Sequence, residues 1–184
     1  VVSDRCYRDL PLAPGKAKFP VVVFVHGTAG FRTQSLHLVT HWASRGFVVV
    51  AGDYPGINLR DLLEDTEIGP RPPPPDQSGD TRAIIAALRD GTVPGAEFLI
   101  DRIDATHRLA AIGHSAGGFA LARLGDVAQV LVLMAGGGVS PESAHGALKS
   151  SLVLAGHNDS VVGWPGSEVS GYSKGPLPKA FAVA

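Results

Sequence analysis

Ser115 is the residue on which chemistry can be built. It stands in Gly113-His114-Ser115-Ala116-Gly117, a Gly-x-Ser-x-Gly pattern, and a serine placed this way acts as a nucleophile when the chain turns sharply about it. The pattern alone says little in a chain with 23 glycines. Its surroundings say more. Arg108-Leu-Ala-Ala-Ile112 leads in as a short buried strand, and Phe119-Ala-Leu-Ala-Arg123 leads out with helical composition. A strand, a tight turn and a helix would strain the backbone of Ser115, and Gly113 and Gly117 would let neighbouring segments close on it. The N–H of Ala116, at the start of that helix, would then face whatever the serine attacks.

Acyl transfer through a serine needs a second oxyanion donor, a base and a group that orients the base. The second donor is expected from a glycine-rich loop after an earlier strand. His26-Gly27-Thr28-Ala29-Gly30 follows the β-branched run Val21-Val22-Val23-Phe24-Val25, so the N–H of Thr28 is the candidate, with His26 hydrogen-bonding inside its own loop. The same glycines would also serve a plain strand-to-helix connection. For the acid, Asp159 in Gly156-His157-Asn158-Asp159 directly follows the strand-like Ser151-Leu-Val-Leu-Ala155. Glu142 is the outside candidate, while Asp53 precedes the serine and is expected to brace the loop before Pro55. No histidine follows Asp159 in the sequence. His157 is too close to the acid, and His114 is expected to turn away from the nucleophile and pack beneath it. His37, His41, His107 and His145 have no motif around them and read as solvated.

The elements that must position these residues alternate along the chain. Phe47-Val-Val-Val-Ala51, Ala128 to Met134 and Lys179 to Ala184 read as further strands, and Cys6 to Leu10 as a short edge strand. Thr33 to Arg45 reads as a helix stopped by Gly46, and Ser78 opens another that runs to about Leu88. Ser140-Pro141-Glu142 has the order of an N-cap followed by proline. Strands alternating with helices predict a mostly parallel sheet with helices on both faces. Residues 57–79 interrupt the alternation. Pro70 and Pro72 to Pro75 favour a stiff extended segment, either a solvated loop or one lying over the mouth of the site.

Composition narrows the rest. A chain of 184 residues, 45% hydrophobic and 18% charged, is long enough for one globular domain and too short for two comfortable ones. Its formal net charge of −1 and lack of a basic cluster give no footprint for nucleic acid. The apolar runs fall well short of the roughly 20 residues of a membrane span. Cys6 is the only cysteine, so an intrachain disulfide is excluded and the compartment stays unassigned. No His-Glu-x-x-His or paired-cysteine spacing suggests zinc. Gly136-Gly137-Gly138 follows a strand, but Pro141 occupies the third glycine position of a dinucleotide fingerprint.

Quoted together, Val25-His26-Gly27-Thr28-Ala29-Gly30, Asp53-Tyr54-Pro55-Gly56, Gly113-His114-Ser115-Ala116-Gly117-Gly118 and Gly156-His157-Asn158-Asp159 resemble the α/β-hydrolase superfamily. More narrowly, they are similar to bacterial esterases grouped with dienelactone hydrolases, chlorophyllases, platelet-activating-factor acetylhydrolases and cutinase-like polyester hydrolases. The resemblance runs over about residues 19 to 184. It implies a carboxyl-ester hydrolase that acts on a small or polymeric ester without a cofactor. It also implies that the family's first strand or strands lie before residue 1 and its catalytic histidine beyond Ala184, so the sequence reads as a piece truncated at both ends. Dienelactone hydrolases proper carry cysteine where Ser115 stands. Two alternatives stay open: a non-catalytic domain of the same fold that binds a ligand or partner, and an amidase or thioesterase using the same site.

Overall fold

The computed structural model describes residues 11–15, 17–64, 74–163 and 165–184. The expected strand at Cys6 to Leu10 and most of the proline run lie outside the described residues. Among the described residues, six strands form one sheet: β1 (Phe19–Val25), β2 (Val48–Ala51), β3 (Ile103–His114), β4 (Val130–Met134), β5 (Ser150–Ala155) and β6 (Lys179–Val183). Five helices accompany them: α1 (Leu36–Ser44), α2 (Leu59–Glu64), α3 (Gln77–Asp90), α4 (Ala116–Leu121) and α5 (Ser167–Lys174). The strand order is β2-β1-β3-β4-β5-β6, and every pair is parallel. A parallel pair cannot be closed by a hairpin, so each connection crosses over the sheet and leaves its loop at the carboxyl ends of the strands.

Apolar runs without alternation become strands covered on both faces. Val21, Val23 and Val25 of β1 point into one core with Leu109, Ala111, Leu131 and Leu133, closed by Ile85 and Leu88 of α3 and Leu121 of α4. Val22 and Phe24 point the other way, with Ile112, against Trp42 of α1. The Phe24 and Trp42 rings lie 6.3 Å apart, tilted. α3 begins one residue earlier than its sequence suggests, because Asp76 is the cap and accepts the Gly79 N–H at 2.8 Å. α1 starts at Leu36 and not at Thr33, since residues 32–35 turn and Ser35 sits at φ 58°. Pro141–His145 forms a 3₁₀ turn without a side-chain cap from Ser140.

β3 is much longer than the apolar run Arg108 to Ile112. Phe19 and Pro20 pair with Ile103 and Asp104, and then Val21 pairs with Leu109, so the residues between bulge out of the ladder. Their polarity hides the strand. Asp104 accepts the His107 N–H at 2.9 Å, and Gln129 takes the Leu109 N–H at 2.9 Å while donating to the Thr106 carbonyl at 3.0 Å.

The chain runs outward from β1 to β2 and then returns to place β3 on the other side of β1. Loops leaving β1 and β3 therefore diverge, and the crevice between them is where open parallel sheets bind ligands.

Candidate active site

Ser115 directly follows β3, at φ 53° and ψ −122°, a conformation that residues with a Cβ rarely adopt. The turn is held from both sides. The Ser115 N–H donates to the Met134 carbonyl of β4 at 2.8 Å, and the Ser115 carbonyl accepts the Phe119 N–H at 3.1 Å. The glycines are required by contact: a Cβ on Gly117 would run into the Val25 carbonyl, and one on Gly113 into the Gly117 carbonyl. α4 therefore lies directly against the ends of β1 and β3. Ala116, its first residue, has no carbonyl in the preceding turn of helix to bond.

The loop after β1 crosses over this turn. A Cβ on Gly27 would sit 2.9 Å from the Ser115 Cβ and 3.1 Å from the His114 carbonyl oxygen. The Gly27 carbonyl accepts the Gly30 N–H at 3.0 Å and lies 2.8 Å from His26 Nδ1. His26 Nε2 takes the Tyr54 N–H at 3.0 Å. A backbone N–H can only donate, so the ring proton is on Nδ1 and His26 donates to Gly27. This fixes the Gly27–Thr28 peptide, and in a trans peptide the Thr28 N–H points opposite to that carbonyl. No described residue accepts the Thr28 N–H. Gln77 of α3, itself buried, donates to the His26 carbonyl at 2.8 Å and ties the loop to the helix behind it.

A short parallel seam joins the loop to the segment after β2. Ala29 N–H donates to the Ile57 carbonyl, and Leu59 N–H to the Gly30 carbonyl, both at 2.9 Å, with Gly30 bridging Asn58. Asn58 also caps α2 by accepting the Asp61 N–H at 3.0 Å. Asp53 does not brace the loop before Pro55. Its carboxylate takes the Arg32 N–H at 2.5 Å and the Arg32 side chain at 2.7 Å, because Arg32 offers a fork of donors across the crevice. That hydrogen bonding from Arg32 holds the Asp53 carboxyl below its ordinary range. The Pro55 loop is braced by Asp61, which accepts the Gly56 N–H at 2.7 Å.

Asp159 stands in the loop after β5. Its Oδ1 accepts the N–H groups of Val162 and Val161 at 2.9 and 2.8 Å. These bonds, with a smaller contribution from His114, hold its carboxyl below the usual carboxylate range. The end of β6 lies beside this loop, since His157 N–H donates to the Ala184 carbonyl at 2.7 Å. His114 does not pack beneath the turn. Its ring faces the β1 loop, where Gln34 Nε2 lies 2.9 Å from Nδ1. His37, His41, His107 and His157 are exposed, and His107 lies 3.4 Å from Asp104. Among the described residues, Ser115 Oγ has no hydrogen-bond partner. No three metal-ligating side chains converge among the described residues, and no helix there is long and apolar enough to cross a membrane.

Beside Phe31, a groove of about 360 Å³ is lined by Leu59, Arg60, Leu63 and Glu64. A concavity of about 430 Å³ opens where Ile103 begins β3, separated from Ser115 by the length of that strand. Gln34, Gln77 and Asn58 carry no sequence motif and were not candidates on spacing. Only Asn58, three residues before Asp61 and just ahead of a leucine-rich stretch, has the position of a cap.

Residues 2–55 match the family described as platelet-activating factor acetylhydrolase, isoform II. That stretch contains β1, the His26–Gly30 loop, α1 and β2, and it stops short of Ser115. Among solved structures the chain is similar to MGS-M1, an alpha/beta hydrolase enzyme from a Medee basin deep-sea metagenome library. The identity is 17%, the TM-score 0.58, and the match covers 90% of this chain and 68% of that one. Comparison with curated proteins gave no match. The chain has the α/β-hydrolase fold.

Proposed function

We propose that this chain is the catalytic domain of a serine hydrolase that cleaves carboxyl esters through an acyl-enzyme. The observation that carries the reading is the turn at Ser115, held at φ 53° beneath a loop whose Thr28 N–H has no described partner. Strain of this kind, about 1–3 kcal/mol, persists where the surrounding structure enforces it, and it clusters at reacting residues. Ser115 Oγ attacks the ester carbonyl carbon and its proton passes to a base. The N–H groups of Thr28 and Ala116 hold the oxyanion as the tetrahedral intermediate forms. Collapse expels the alcohol, which takes the proton back from the base, and water then hydrolyses the acyl-Ser115 ester by the same steps.

The base in this reading is a histidine that follows Asp159 in chain order and is not among the 184 residues. Asp159 supports it, because two backbone N–H groups occupy Oδ1 and leave Oδ2 to orient an imidazole. The end of β6 lies against the Asp159 loop, which is where such a histidine would enter. Family resemblance over residues 2–55 adds support for the acetylhydrolase type of ester.

Extension of the chain past Ala184 to its next histidine, treatment with a fluorophosphonate and peptide mapping test the reading. Stoichiometric labelling at Ser115, with hydrolysis of short-chain esters lost in Ser115→Ala, is the expected result. Hydrolysis that survives Ser115→Ala rejects it. The bare Oγ of Ser115 favours one other reading, a binding domain without turnover, and an extended chain that binds esters but neither labels nor hydrolyses them assigns it. Turnover of amides or thioesters in preference to oxygen esters would reassign the scissile bond on the same site.

A further inference from the structure

We infer that Gln34 is a positioning residue: its carboxamide clamps the oxyanion loop to the nucleophile turn and so sets the distance between the two oxyanion donors. The inference rests on the hydrolase reading above. The β1–β3 ladder ends with Val25 opposite Gly113, so no sheet hydrogen bond joins the chains beyond that point. Thr28 lies on one chain and Ala116 on the other. Each is well held within its own segment, Thr28 through His26 and the Gly27 carbonyl, Ala116 through the Met134 bond to Ser115. Among the described residues, the one side chain hydrogen-bonded to both segments is Gln34.

Gln34 comes from the turn ahead of α1. Its Oε1 accepts the Gly27 N–H at 3.4 Å, a long bond, and its Nε2 lies 2.9 Å from His114 Nδ1. The orientation of the amide follows from chemistry. Gly27 N–H has only a proton to offer, so it must meet the oxygen, and the NH₂ group must face His114. His114 Nδ1 therefore carries the lone pair and its ring proton sits on Nε2. The amide fits because Gly30 has no side chain: a Cβ there would lie 2.5 Å from Gln34 Oε1 and 2.8 Å from the His26 Cβ. A Cβ on Gly27 would come within 3.2 Å of His114 Nδ1. Two glycines thus open the seam that the carboxamide bridges.

An oxyanion hole works only when both donors reach one oxygen, and a misplacement of about 1 Å can cost on the order of 100-fold in rate. Loss of the clamp leaves each donor intact and changes only their separation. The effect therefore falls on the transition state and not on ground-state binding.

The test compares Gln34→Met, which keeps length and removes both hydrogen bonds, with Gln34→Asn, which keeps the amide but is too short to reach both partners. Hydrolysis of p-nitrophenyl butyrate is measured in the protein extended past Ala184, alongside Ser115→Ala. Expected is a fall of about 10- to 100-fold in kcat for both variants with KM changed less than about threefold. Nitrogen NMR should show His114 losing its single Nε2–H tautomer. A kcat equal to wild type in whichever variant folds, with Ser115→Ala inactive, overturns the role of Gln34 alone. Hydrolysis that survives Ser115→Ala overturns the hydrolase reading and this inference with it. A loss expressed in KM with kcat retained also overturns it.

Discussion

His26→Phe tests whether one imidazole holds the β1 loop in place. The ring is 1% exposed and makes two hydrogen bonds, to the Gly27 carbonyl and from the Tyr54 N–H. Phenylalanine fills the space, so the change isolates the hydrogen bonds from cavity formation. The Tyr54 N–H is the costly partner. It is buried with no other described acceptor, and an orphaned buried donor costs about 1–3 kcal/mol. The Gly27 carbonyl keeps the Gly30 N–H at 3.0 Å, so its loss is closer to the net worth of one hydrogen bond, about 0.5–1.5 kcal/mol. The edge-on contact with the Tyr54 ring, 5.3 Å between centroids, survives in kind. The expected destabilisation is about 2–4 kcal/mol in urea-induced unfolding followed by circular dichroism. Fluorophosphonate labelling of Ser115 in the extended chain should slow as the Gly27–Thr28 peptide gains freedom to rotate. A stability within about 0.5 kcal/mol of wild type would refute the reasoning, because the loop would then be held by something other than the imidazole.

Two further perturbations address the same framework. Gly117→Ala puts a methyl group into the Val25 carbonyl and should destabilise by about 1–3 kcal/mol, read from the urea midpoint, while slowing Ser115 labelling in the extended chain. Tyr54 is buried, and burial pushes its phenol up to about 12, so the folded protein keeps a proton that the unfolded chain releases near pH 10. Its contribution is complete below pH 10 and is lost as pH rises through about 12, a fall of about 2–3 kcal/mol. Tyr54→Phe should flatten that alkaline limb in unfolding measured across pH 8 to 12, and an unchanged limb would refute the assignment.

Much of the sheet is legible in the sequence because residues such as Val21 to Val25 and Val130 to Met134 are apolar without alternation, the pattern of strands covered on both faces. The first half of β3 is not legible, since Ala105 to Arg108 bulge from the ladder, with His107 and Arg108 bonding back to the Asp104 carboxylate. Glycines bracket Ser115 and Thr28 and draw attention to both loops. That those loops leave neighbouring strands, with β3 returning to the far side of β1, is a long-range property that no local spacing encodes. Gln34 and Gln77 illustrate the same limit. A glutamine beside a helix start reads as surface, and only the fold shows Gln77 buried on the His26 carbonyl and Gln34 between Gly27 and His114. Asp53 reads as a brace for the nearest loop, yet its partner is Arg32, because the turn after β1 lies across the crevice from the exit of β2.

The seam between Ala29–Gly30 and Ile57–Leu59 gives the β1 loop a second anchor that is separate from the sheet. A loop fixed at one end swings like a door, whereas this one is latched to the capped start of α2. Asn58 is itself held by the Tyr54 carbonyl and by Asp61, so opening of the loop should release the Ala29 and Leu59 amides together in hydrogen exchange. The loop is thus tied to α2, a six-residue helix outside the sheet, as well as to β1.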